Sequence, residues 1–237
     1  MHETPLTNAY RYAIYFASRP DSADWQAGSR WLGRCAASAT VVSQPTVDGV
    51  APEDFNRLTA APRRYGWHAT LKAPFALRHG IGLETLRQAL KQLSGQLSAF
   101  QMPTLCARKL DDFLALAPVT ASPQIDRVAR QCVTTLHAFA APLSAEALAR
   151  RRAGGLTPEE DALLVRWGYP FVLERFQFHL SLTGSLKGVS PERIDAIQTA
   201  AVQTFQTIPP CQFDSIALFA EPRPGADFVL LEHFAFR

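Results

Sequence analysis

Apolar and polar positions alternate along residues 10–16, Tyr-Arg-Tyr-Ala-Ile-Tyr-Phe, and the aromatic and branched side chains favour extended backbone, so this run predicts a strand. Ser22 then offers a cap for a helix carrying Trp25, Gly28 and Leu32 at helical spacing. Residues 37–62 hold no strong period and read as a variable connection. Residues 67–75 predict a second strand, and Leu83, Leu86, Ala89, Leu90, Leu93 and Leu97 fall on one helical stripe. Two strand-like runs, 100–109 and 113–118, are separated by Leu110-Asp111-Asp112, which suits a short hairpin connection.

Ser122-Pro123 places a cap before a proline at the first helical position, and Ile125, Val128, Ala129, Cys132, Val133, Leu136, Phe139 and Ala140 continue the helical period. Residues 144–152 and 157–167 predict two shorter helices broken at Gly154-Gly155, the second opened by the capping-box signature Thr157-Pro158-Glu159-Glu160. From Arg175 the earlier order returns: a strand to Thr183, a helix capped at Ser190-Pro191, and strands near 212–220 and 227–236. The strands at 67–75 and 175–183 both carry a histidine, and an offset of 111 (179 − 68) also aligns Arg64 with Arg175 and Trp67 with Phe178. An internal duplication is the reading this suggests.

The pattern repeated at that offset is His68-Ala69-Thr70-Leu71 and His179-Leu180-Ser181-Leu182. In a strand, residues two apart share a face and lie roughly 6.5 to 7 Å apart, so each tetrapeptide presents an imidazole beside a hydroxyl. Two such pairs in one cleft suit proton transfer at a phosphate ester, one histidine accepting a proton and the other donating one. Lys72 and Thr183 continue the same presumed faces, Lys72 as a positive charge for phosphate oxygens. Tyr15 and Tyr65 suit a groove wall or the core equally. His2, His79, His137 and His233 lack a hydroxyl partner in this pattern and read as structural or solvated, and Arg150-Arg151-Arg152 reads as a solvated helix face.

Composition narrows the field. A chain of 237 residues with 47% hydrophobic and 19% charged positions is ordinary for a globular protein, and a net charge of +3 does not suggest duplex nucleic-acid binding, although Arg63-Arg64 could draw a small anion. Cys35, Cys106, Cys132 and Cys211 have no C-x-x-C spacing and read as reduced thiols, and no membrane-length apolar run is present, so a cytoplasmic location is expected. H-E-x-x-H, G-x-G-x-x-G, Walker-type and G-x-S-x-G patterns are absent, and neither a metal nor a cofactor is expected.

Residues 63–75, Arg-Arg-Tyr-Gly-Trp-His-Ala-Thr-Leu-Lys-Ala-Pro-Phe, resemble the first signature of the phosphonate-metabolism branch of the two-histidine (2H) phosphoesterase superfamily. Residues 167–184 resemble the second, and the opening strand fits, so the resemblance runs from about residue 10, with 1–9 as a variable extension. It implies an α+β fold, a single bilobed domain over 1–237, in which two pseudo-symmetric lobes of antiparallel sheet with outer helices flank the active groove. The lobe motifs would lie at about 64–75 and 175–184, with a helical insertion at about 144–170. It further implies acid and base roles for His68 and His179, phosphate contacts from Thr70 and Ser181, no metal, and a phosphonate-metabolism setting. The expected function is hydrolysis of a cyclic phosphate or small phosphodiester, with a small phosphorylated metabolite as partner. The alternatives are an RNA 2′,3′-cyclic phosphodiesterase or 2′-5′ RNA ligase-like activity on RNA ends, or a non-catalytic nucleotide-binding module.

Overall fold

A computed structural model describes residues 8–237. His2 and most of the 1–9 extension lie outside them. The first strand, β1 (Arg11–Phe16), leads into α1 (Ala23–Leu32), where the Ser22 hydroxyl accepts from Trp25 N–H as the cap signal predicts. The short strand β2 (Arg34–Cys35) precedes the stretch without apolar period, which contains β3 (Thr40–Val41), the short helix α2 (Pro52–Leu58) and the start of α3 (Ala60–Tyr65). These helices are too short to show a repeating stripe; Phe55 and Leu58 of α2 enter the core, and polar contacts tie α2 to α3. The buried Thr59 hydroxyl donates to Phe55 C=O at 3.0 Å and accepts from Arg63 at 2.6 Å, and Arg63 also reaches the carbonyl of Leu32. Arg63 is thus occupied in the fold, and Arg64 binds Glu221.

There follow β4 (Ala69–Phe75), α4 (Leu83–Ser94), β5 (Phe100–Gln101), and the hairpin of β6 (Leu105–Leu110) and β7 (Phe113–Pro118). Asp111 turns that hairpin at φ 48, a conformation aspartate tolerates. Next come α5 (Pro123–Leu136), α6 (Ala145–Arg152) and α7 (Pro158–Trp167), the last with both hydrogen bonds of its capping box. The chain closes with β8 (Leu180–Ser181), α8 (Pro191–Phe205), β9 (Gln212–Phe213), β10 (Ser215–Glu221) and β11 (Val229–Ala235).

The expectation of two pseudo-symmetric lobes requires correction, because the strands do not sort by halves of the chain. The main sheet has the order β11-β10-β1-β4 and so joins both ends of the chain, while the hairpin β6-β7 takes β8 from the second half. The two histidine strands also differ, seven residues in β4 against two in β8. One continuous apolar core binds the sheets together, from Trp31 and Leu86 through Leu116 and Leu180 to Phe213, and Trp31 Nε1–H donates across it to Leu182 C=O at 2.9 Å. A smaller cluster covers the other face of β1, where Ala13, Tyr15 and Ala17 meet Trp25, Phe219 and Phe228. Strand β4 ends the main sheet, β8 ends the three-stranded sheet, and the two edges touch.

Candidate functional site

The meeting of those edges brings both histidine motifs together. Helix α3 stops at Gly66, whose φ of 82 is a conformation that favours glycine, and a Cβ there would lie 2.5 Å from Ala36 Cβ. That turn aims the Gly66 carbonyl at His68, whose Nδ1–H donates to it at 2.9 Å. His179 repeats the device: its Nδ1–H donates to the carbonyl of Gln177, also two residues back, at 2.9 Å. The carbonyl acceptor selects the tautomer, so each neutral ring keeps its lone pair on Nε2. The His68 Nε2 lies 3.3 Å from Thr70 Oγ1.

His68, Thr70, His179, Ser181, Thr183 and Tyr15 all line one open cavity of about 470 Å³. Burial pulls the His68 pKa down to about 4, helped by the neighbouring His179 and opposed by the Gly66 carbonyl. Burial lowers that of His179 as well. Both imidazoles are therefore neutral in the empty cavity at pH 7, and an anion bound between them would favour the protonated form. The unfolded chain takes up the His68 proton near 6.5 and the native state only near 4, so stability is whole above 6.5 and falls as pH drops towards 4. His68 is only half-buried, and with that discount the loss is about 1–2 kcal/mol. A His68→Asn variant should show a flatter melting temperature between pH 6.5 and 4 than the parent, as scanning calorimetry would report.

The remaining candidates divide. Tyr15 is fully buried, its ring 3.8 Å from that of His68 between centroids, and its hydroxyl has no hydrogen-bond partner among the described residues. Thr183 borders the cavity, but its hydroxyl accepts from Leu114 N–H at 3.0 Å and donates to Gly184 C=O at 2.9 Å, so it ties β7 to the chain after β8. Lys72 is a correction. In the pairing of β1 with β4, Tyr15 faces Thr70 and Ile14 faces Lys72, so Leu71 is an extra residue, a β-bulge that breaks the alternation. Lys72 is consequently buried in a different cavity of about 340 Å³, beside His137 and Trp167, with its ammonium 5.0 Å from the Phe75 ring centroid.

Burial pulls the Lys72 pKa down to about 8 from its usual 10.5. Its charge at pH 7 works against the fold, and this cost disappears as pH rises through 8 towards 10.5. Lys72→Met should therefore raise stability at pH 7 by about 1–2 kcal/mol, a gain that shrinks above pH 8. Denaturant titrations at pH 7 and pH 9.5 check both parts.

Both arginines of the cavity, and Tyr169 beside them, are absent from the candidates read from the sequence. Arg11 lies on the same face of β1 as Ala13 and Tyr15, and that two-residue period was a usable signal. Arg151 reaches the cavity from α6, and no signal separated it from its neighbours in the Arg150-Arg151-Arg152 run. Among the described residues no group of three or more His, Cys, Asp or Glu could hold a metal ion, the four cysteines are unpaired, and no helix is long and apolar enough to cross a membrane.

The fold and the cavity define an antiparallel-sheet protein with two imidazoles and two motif hydroxyls lining one cavity. Within that class the chain belongs to the family described as "Protein of unknown function (DUF1045)", whose pattern matches residues 70–229. It is 40% identical over 229 residues to a protein of Janthinobacterium sp. (strain Marseille) named ribose 1,5-bisphosphate phosphokinase PhnN, covering 95% of this chain and 51% of that protein. It is 38% identical over 220 residues to the protein of the same name in Laribacter hongkongensis (strain HLHK9), covering 93% of this chain and 50% of that one. The chain thus spans about half the length of the curated relatives it matches. Their name is that of a phosphotransferase. It corrects the expected two-histidine phosphoesterase membership and the hydrolase, cyclic phosphodiesterase and RNA-directed activities that the resemblance implied.

Proposed function

We propose that the cavity shared by His68 and His179 binds a small phosphorylated metabolite, a ribose phosphate of the kind named for the relatives, and takes part in phosphoryl transfer within phosphonate metabolism. The observation that carries this reading is the matched orientation of the two rings, each held through Nδ1 by the carbonyl two residues back, which leaves Nε2 for proton transfer, that of His68 beside the Thr70 hydroxyl at 3.3 Å. In that arrangement one Nε2 takes the proton of the attacking hydroxyl, and the other ring, protonated once the phosphate is bound, gives a proton to the leaving oxygen. Thr70 and Ser181 offer hydroxyl donors to the phosphate oxygens. The unpaired cysteines suit a reducing compartment, and we assign the protein to the cytoplasm.

The test is a panel of ribose phosphates, including ribose 1,5-bisphosphate, incubated with the chain and with ATP and Mg²⁺ as phosphoryl donor, the phosphorus followed by ³¹P NMR. New phosphate-ester signals that weaken with Ser181→Ala and Thr70→Val, by about tenfold each, support the reading. A panel left wholly unbound and unchanged overturns it.

A further inference from the structure

We propose that the same cavity contains a second anion subsite, formed by Arg11 and Arg151 with the phenols of Tyr15, Tyr65 and Tyr169, which holds the remote phosphate of a substrate bearing two phosphate groups. This rests on the reading of the His68 and His179 end as the site of phosphoryl chemistry.

The subsite is assembled from three separate parts of the chain. Arg11 and Tyr15 come from one face of β1, Tyr65 from the end of α3, and Arg151 and Tyr169 from the segment containing α6 and α7; all five line the cavity with His68. The three consecutive arginines of α6 have different fates. Arg150 is exposed, Arg152 makes a two-pronged pair with Asp161 at 2.6 and 2.9 Å, and Arg151 turns inward, half-buried, with its guanidinium 5.5 Å from the Tyr169 ring centroid. Among the described residues Arg151 has no carboxylate partner. Burial disfavours its protonated form, opposed by Tyr169 and Tyr65 and reinforced by the nearby positive charges of Arg11 and Arg150, with a net downward shift. The Tyr169 ring offsets part of the cost of placing that cation, and a bound anion would supply the charge partner that the described residues do not.

The local charge agrees. Of the lining side chains Arg11 and Arg151 are guanidiniums and Asp112 is a carboxylate, 2 − 1 = +1; Arg11 shares Glu221 with Arg64, which among the described residues leaves Arg151 as the cation free to meet an anion. The Asp112 carboxylate accepts from the Ser185 hydroxyl at 2.7 Å. Tyr15 connects the two ends: its ring lies against His68, tilted by 31°, while its buried hydroxyl, without a partner among the described residues, feels Tyr65, Arg11 and Tyr169. A buried phenol with no acceptor is a donor awaiting one. A cavity of about 470 Å³ is of the size that encloses a small metabolite.

Calorimetric titration of the chain with ribose 5-phosphate and ribose 1,5-bisphosphate tests the subsite. The parent should bind the bisphosphate at least about tenfold more tightly, and Arg151→Gln should reduce that preference to within about twofold, with the melting temperature unchanged. Tyr15→Phe, which keeps the ring on His68, should weaken the bisphosphate selectively, and Arg150→Gln should change neither ligand. A preference that survives in Arg151→Gln, or is missing in the parent while ribose phosphates still bind and react, overturns the subsite alone. Failure of the parent to bind or transform any phosphate ester overturns the parent reading and the subsite with it.

Discussion

Replacing either His68 or His179 by alanine is expected to slow phosphoryl transfer by about 10²- to 10⁴-fold, and replacing both to slow it little further. Each ring is positioned through Nδ1 by one backbone carbonyl and would act through Nε2, so removing either leaves the other without a counterpart for its proton. The rings are half-buried at the cavity wall, so the loss should appear in kcat with the melting temperature nearly intact. The depressed pKa values add a pH signature. In the empty enzyme both rings are neutral at pH 7, so kcat/KM falls as pH rises away from the acidic range where one ring is protonated. A bound phosphate raises the pKa of the ring beside it, so the falling limb of kcat should lie at higher pH than that of kcat/KM. Rates for either alanine variant within threefold of the parent, or coincident limbs, would remove these rings from the chemistry.

The local signals in the sequence and the long-range pairing of the chain tell different stories. Ser22, Ser122-Pro123 and the Thr157 capping box each mark a helix start that the structure contains, because a cap acts within one turn. The pairing of β1 with both β4 and β10 depends on contacts up to 210 residues apart, as in Arg11 with Glu221, and no local pattern encodes it. The repeated tetrapeptide placed His68 and His179 at one cavity but suggested a symmetry the sheets do not have. Alternation along β4 gave Thr70 its place beside His68, then failed two residues later at the bulge, which is why Lys72 was misplaced. Arg151 was hidden by composition: three arginines in a row carry no mark of which one turns inward.

Gly28→Ala is expected to destabilise the protein by about 3 kcal/mol, although alanine is the better helix former by roughly 1 kcal/mol. Gly28 sits inside α1 against the indole of Trp67, where an added Cβ would lie 2.0 to 2.3 Å from three ring atoms. The indole has nowhere to go. It is fully buried, stacked on Phe205 at 5.2 Å and 7°, and its Nε1–H donates to the buried Asp24 carboxylate at 3.0 Å. Steric overlap with a ring fixed on two sides outweighs the gain in backbone propensity. At this chain length about 3 kcal/mol corresponds to a fall of roughly 6–12 °C in melting temperature. Trp67 directly precedes His68, so the displacement should also disturb the imidazole and lower activity more than the stability loss alone explains. Adding Trp67→Phe to Gly28→Ala reduces the ring, and the pair should be less destabilised than the sum of the two single changes by about 1 kcal/mol or more. Additive losses would show that the close approach of α1 to Trp67 is not what makes glycine necessary at position 28.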